Sequence, residues 1–186
     1  MYRIELLEGR RHIVTPVVML RAQVLNGSNG PLFYPEMEIE NSTARWNGVP
    51  CVINHPGFYT MGDAGDPSVF NQQKVGHVFN SKYGSGVLRA EAWLDEKRLH
   101  ELAPDVRRAV LSGERVEVST GLYSDNDWNA GVHSGVGYHA IARNFRPNHL
   151  AILPTDKGAC AVEHGCGLGV TNQQQVQTQS IPMIYV

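Results

Sequence analysis

From Val87 to Leu94 the side chains alternate, with Leu88, Ala90, Ala92 and Leu94 on one face and Arg89, Glu91 and Trp93 on the other. A period of two marks a strand with one buried face. Gly84-Ser85-Gly86 ahead of it predicts a hairpin with Val75–Tyr83. His12 to Leu25 is a longer stretch rich in Val and Leu, closed by the turn sequence Asn26-Gly27-Ser28-Asn29-Gly30. Val49 to Ile53 is a short apolar run that stops before Pro56-Gly57. Glu114 to Leu122 predicts another strand, with Val116, Val118 and Thr120 pointing one way and Glu117, Ser119 and Gly121 the other. Beyond an Asn-, Asp- and Gly-rich loop, Val136 to Phe145 and His149 to Leu153 predict the last two strands.

Helical spacing is clear in one place. Asp95 is placed to cap a segment in which Leu99, Leu102, Val106 and Val110 recur near helical intervals. Pro104 divides it into two short helices, because proline suits a first turn and not an interior. Gly113 supplies the stop. A shorter helix is expected over Asn41 to Trp46. No helices of crossover length alternate with the strands, so most of the sheet is expected to be antiparallel. The reading is a mainly β, α+β domain over residues 1–168. A Gln-rich linker or tail follows over 169–186, centred on Gln173-Gln174-Gln175 and ending in the apolar Ile181–Val186.

Composition narrows the function classes. The 186 residues carry a net charge of −2, and the basic residues are scattered apart from Arg10-Arg11 and Arg107-Arg108. Neither a nucleic-acid partner nor a membrane surface is expected on that balance. The longest N-terminal apolar run, Ile13 to Leu20, is too short to span a bilayer and is interrupted by Thr15 and Pro16. Glu5, Glu8 and the Arg10-Arg11 pair precede it, unlike a secretory signal, so the expected location is the cytoplasm. Three cysteines, an odd number, suit a reducing compartment better than a disulfide framework.

Eight histidines prompt a search for a metal site or a general base. No zincin helix motif or paired-cysteine ribbon is present. Cys160, His164 and Cys166 form one weak cluster among glycines, read as a Gly-rich turn with two small thiols. No metal or cofactor is expected. Ser119, in Val118-Ser119-Thr120-Gly121, becomes a nucleophile only if an imidazole takes its proton and a third group orients that imidazole. By pattern alone a Ser-x-Gly is most often an ordinary strand residue. His55, in Asn54-His55-Pro56-Gly57, sits where a strand stops in a turn, and the same pattern fits a surface histidine. His149 stands at the entry to an apolar strand, where a backbone-satisfied histidine is the plain alternative.

Several segments resemble the phage prohead-protease-like family encoded upstream of capsid genes. They are Val24-Leu25-Asn26-Gly27-Ser28-Asn29-Gly30-Pro31, Trp46-Asn47-Gly48-Val49-Pro50, Asn54-His55-Pro56, Val116-Glu117-Val118-Ser119-Thr120-Gly121, Arg143-Asn144-Phe145-Arg146-Pro147-Asn148-His149-Leu150-Ala151 and Lys157-Gly158-Ala159-Cys160. Each is weak alone, and the ordered set spans about residues 12 to 168. That family is in turn similar to the prohead proteases and the herpesvirus assemblins. The resemblance implies a mostly antiparallel β-barrel flanked by helices, and a serine endopeptidase that processes scaffold and capsid proteins. It implies action in the host cytoplasm, inside the assembling prohead. A second copy of the chain is a further expected partner, through dimerisation or self-processing.

The resemblance implies a catalytic order of His55, Ser119 and His149. His55 is then the base and His149 the residue that orients it. Glu117, Asp125 and Asp127 stay open as acidic alternatives to His149, and Arg143 and Arg146 as donors to an oxyanion. His77, His133 and His139 have no motif support and are read as structural or surface residues. Two rivals stand beside the peptidase. One is a catalytically inactive scaffold or capsid-assembly factor on the same fold; the other is a metal-dependent hydrolase built on some of the histidines. The tail fits a link to a scaffolding segment, a self-cleavage product or an ordinary disordered terminus.

Overall fold

The alternation from Val87 to Leu94 becomes a strand whose apolar face is buried and whose Arg89, Glu91 and Trp93 are half-buried on the other face. In the computed structural model, which describes residues 1–57 and 63–170, it is β7 (Val87–Asp95), paired with β6 (Lys74–Gly84) across the expected Gly-Ser-Gly turn. Before this hairpin come β1 (Arg3–Leu7), β2 (Arg10–Arg21), β3 (Val24–Gly27), β4 (Gly30–Phe33), α1 (Glu36–Ser42), β5 (Pro50–Ile53) and α2 (Pro67–Gln72). After it come α3 (Glu96–Leu102), α4 (Pro104–Ser112), β8 (Glu117–Asp127), β9 (Gly131–His133), β10 (Val136–Tyr138), β11 (Ala140–Leu153) and β12 (Gly167–Leu168).

The helical pair forms as its caps predict. Asp95 accepts from the backbone N–H groups of Lys97 and Arg98, which satisfies two of the unpaired donors at the start of α3. Pro104 opens α4, and Gly113 closes it in the left-handed conformation at φ 82°. Leu99, Val106 and Val110 are buried against the sheet. The helix expected at Asn41–Trp46 begins earlier, at Glu36 after Pro35; Thr43–Trp46 is a single 3₁₀ turn that buries Trp46.

One sheet holds ten strands, in the order β1-β2-β7-β6-β5-β11-β4-β3, with β8 added to β11 and β12 to β2. Its end strands β1 and β3 are not paired with each other, and β11 runs parallel to both β4 and β5. Most pairings are antiparallel, as expected, but the two parallel ones make the sheet mixed rather than the antiparallel barrel that the resemblance implies. The cause is β11: arriving late in the chain, it enters between two strands of the N-terminal third and also takes β8 along it antiparallel.

The two strands expected at Val136–Phe145 and His149–Leu153 are joined in this one strand. Asn144, at φ 52°, and Pro147 are absorbed by register shifts at Arg143/Arg146 and Pro147/His149, as bulges allow. The strand expected at Glu114 begins at Glu117 and runs on to Asp127.

Pro16 shows why β2 tolerates a proline. Its carbonyl accepts from Gly169, so its nitrogen faces the same outer edge. That edge is shared by β1, which pairs up to Val14, and by β12, which begins at Val17. Proline occupies the gap between two ladders, where no donor is required. Packing continues through Val170, which is buried, while the Gln-rich segment 171–186 lies outside the described residues. Among the described residues no helix is long and apolar enough to cross a membrane.

The expectation of free thiols at the Gly-rich turn is also corrected. Cys160 and Cys166 form a disulfide, and Cys51 is the buried free cysteine. The turn Val162–His164 folds the chain back on itself, which brings together two cysteines six residues apart.

Candidate active site

β5 ends at Ile53, and Asn54 adopts the left-handed conformation at φ 60°, which asparagine tolerates better than most residues. Its N–H donates to the Ile152 carbonyl on β11, so the turn is tied to the sheet. His55 follows at once. Its Nδ1 lies 2.8 Å from Nε2 of His149, with the two rings edge to face at 5.0 Å between centroids. Histidines 94 positions apart in sequence thus form one hydrogen-bonded pair.

β8 carries Ser119 to the same place. Ser119 stands opposite Ala151 and Gly121 opposite His149 in the β8–β11 register. Opposed residues of an antiparallel pair share a face, so Ser119, Gly121 and His149 all point to one side. A side chain at Gly121 would overlap the His149 ring. The Ser-x-Gly motif therefore has a spatial meaning, since the glycine is the seat of the second imidazole.

His55, Ser119 and His149 line one cleft of about 480 Å³ between the β3–β4 hairpin and β8. No direct hydrogen bond joins Ser119 to His55, although both line the cleft. Leu25, Leu32, Met19 and Leu20 give the cleft an apolar wall, and among the described residues no Asp, Glu, Lys or Arg lines it. His149 is 3% exposed. Burial, reinforced by the neighbouring His55 and opposed by Asp63, pushes its pKa down to about 4. Desolvation also holds His55 below the ordinary histidine value. Both shifts favour the neutral form of the ring.

The acidic alternatives lie elsewhere. Glu117 accepts from the backbone N–H groups of Val162 and Gly158 and so holds the 158–162 segment against β8. Asp125 is paired with Arg146 at 2.9 Å, and Asp127 lies near Arg143 at 3.9 Å. Arg143 also approaches Glu38. Neither arginine lines the cleft, so the two oxyanion candidates are engaged in surface ion pairs away from Ser119.

Three further residues here are given no role by the sequence, although Asn148 stands beside His149 in a quoted segment. Asn148 Oδ1 lies 2.8 Å from His149 Nδ1, and Asn148 Nδ2 donates to Asp63 at 2.8 Å. His139 donates Nε2–H to the Asn29 carbonyl and packs on Gly30, which fixes the turn forming one cleft wall. His133 instead stacks on Phe33, and His77 lies beyond the cleft beside Phe79. Of the three, Asn148 carried the usable signal, its place beside His149 in the quoted segment.

No family model matches the chain, and no curated protein matches it. Among solved structures, it is similar to the capsid assembly protease gp21 of bacteriophage T4. The TM-score is 0.55 at 14% sequence identity, over 81% of this chain and 90% of that one. At that identity the likeness is one of fold.

Proposed function

We propose that this chain is a serine endopeptidase of phage prohead maturation, with Ser119 as nucleophile, His55 as general base and His149 as the residue that orients His55. The observation that carries the reading is the 2.8 Å contact of His55 Nδ1 with His149 Nε2 in the cleft that Ser119 lines. The fold likeness to a capsid assembly protease supports it. In the forward step His55 Nε2 takes the Ser119 proton as Oγ attacks the scissile carbonyl. The proton then passes to the leaving amine, and water reverses the sequence on the acyl-enzyme. The neutral His149 accepts from His55 Nδ1–H and steadies the imidazolium that forms. Because it lacks the full charge of a carboxylate, a modest turnover follows.

The proposed substrates are scaffold and capsid proteins in the assembling prohead, inside the host cytoplasm, with a second copy of the chain as a further partner. The inactive assembly-factor reading draws on one observation, the lack of a direct Ser119–His55 hydrogen bond. Co-expression of the wild type and Ser119→Ala with the neighbouring scaffold and capsid proteins, followed by intact mass, separates the two. Fragments present with the wild type and missing with folded Ser119→Ala support the peptidase. Identical, unprocessed masses in both support the assembly factor.

A further inference from the structure

The side-chain amide of Asn148 is held in one orientation by two different partners. Its Oδ1 lies 3.0 Å from the backbone N–H of Ala64, which can only donate. Its Nδ2 lies 2.8 Å from the carboxylate of Asp63, which can only accept when ionised. Asp63 is itself anchored by the Gly65 N–H at 2.8 Å. Exchanging the amide's O and N would set donor against donor at Ala64 and acceptor against acceptor at Asp63, so the usual ambiguity of an asparagine is removed. The segment carrying these groups is seated by Ala64 and Val69, packed with Val52, Ala151 and Leu153.

This orientation dictates every proton downstream. Asn148 presents an oxygen to His149 Nδ1 at 2.8 Å, so that nitrogen carries the hydrogen and donates. A neutral imidazole has one N–H, and Nε2 of His149 therefore holds a lone pair. The ring nitrogen facing it, His55 Nδ1 at 2.8 Å, must then donate. His55 is left with its Nε2 lone pair free to take a proton.

We propose that Asp63 and Asn148 are positioning residues that lock the tautomers of His149 and His55 so that Nε2 of His55 is the basic atom. The role rests on the serine-peptidase reading for its purpose, though its geometry stands without it. Asp63 acts through Asn148, and Asn148 through His149; neither touches the reacting atoms. Without the lock, His149 could hold its hydrogen on Nε2 and donate to His55 Nδ1. His55 would then carry its own hydrogen on Nε2, presenting a donor to Ser119 where an acceptor is needed.

The test is a long-range ¹H–¹⁵N correlation of the imidazoles in the full, ¹⁵N-labelled chain at neutral pH, assigned with His55→Gln and His149→Gln. The expected wild-type spectrum has both rings protonated at Nδ1 and unprotonated at Nε2. In Asn148→Ala both rings shift population toward Nε2–H, and kcat for scaffold cleavage falls about 10²-fold, the low end of what a positioned base contributes. The exchange variant Asp63→Asn/Asn148→Asp keeps an oxygen against Nδ1 and restores both tautomers. A wild-type His149 protonated at Nε2 overturns the proposal, with no variant needed. So does a folded Asn148→Ala with unchanged tautomers. Failure of the peptidase reading is a separate result: no Ser119-dependent cleavage, whatever the tautomers.

Discussion

Gly121 and His149 face each other across β8 and β11, and the imidazole occupies the space that a β-carbon on residue 121 would need. Gly121→Ala should therefore displace His149 from His55. The expected outcome is near-complete loss of cleavage with destabilisation of about 1–3 kcal/mol, the usual cost of overpacking a close-fitted site. Denaturant unfolding beside a cleavage assay checks it. A variant with wild-type cleavage would show that the ring can sit elsewhere.

The two buried histidines set a pH window. Catalysis needs neutral His55, whose pKa is lowered by desolvation, so the acid limb of kcat/KM should fall below the ordinary histidine value of about 6.5. Stability follows the same sign. The folded state holds His149 near 4, so on acidification the unfolded chain takes up the proton first. Stability at this site is then complete above about 6.5 and is lost progressively as pH falls toward 4. Comparing wild type with His149→Gln by chemical denaturation across that window should show a flatter profile for the variant.

Glu117 separates a structural role from a catalytic one. Its carboxylate satisfies the Val162 N–H, so Glu117→Ala should cost about 1–3 kcal/mol for the donor left without its partner. Glu117→Gln keeps one acceptor oxygen and should retain most stability and most kcat. A Glu117→Gln enzyme as inactive as His149→Ala would reassign the third member of the site.

The Cys160–Cys166 bridge is open to a direct count. Denatured without reductant, the chain should alkylate once, at Cys51, and after reduction at all three cysteines. Reduction should lower stability by about 2 kcal/mol for so short a loop. It should also alter kcat/KM, since Cys160 lines the Ser119 cleft.

What the sequence discloses follows how local each cause is. The β6–β7 hairpin, the Asp95 cap, the Pro104 division and the Gly113 stop are written within a few residues, and each forms as expected. β11 was hidden because Asn144 and Pro147 look like a break, and only its partner strand makes room for the bulges. The parallel pairings of β11 depend on strands about a hundred positions earlier, which no window contains. At the site, the ordered motifs name His55, Ser119 and His149, and the structure brings these three residues to one cleft. The link from Asn148 to Asp63 could not be read, because 85 positions separate the two and Asp63 lies in no distinctive pattern. The odd cysteine count misled for a simple reason: one thiol, Cys51, is buried in the core, leaving the other two to pair.

The late arrival of β11 has a temporal side. β5 and β8, which lead to His55 and Ser119, both pair directly with β11. A nascent chain that has emerged no further than Asp127 has the proposed nucleophile and base but lacks β11, the strand that both β5 and β8 pair with. It also lacks the ring that orients the base. Any hydrolytic power of this site therefore switches on only after Leu153 has left the ribosome, and an unfinished copy is harmless to its neighbours.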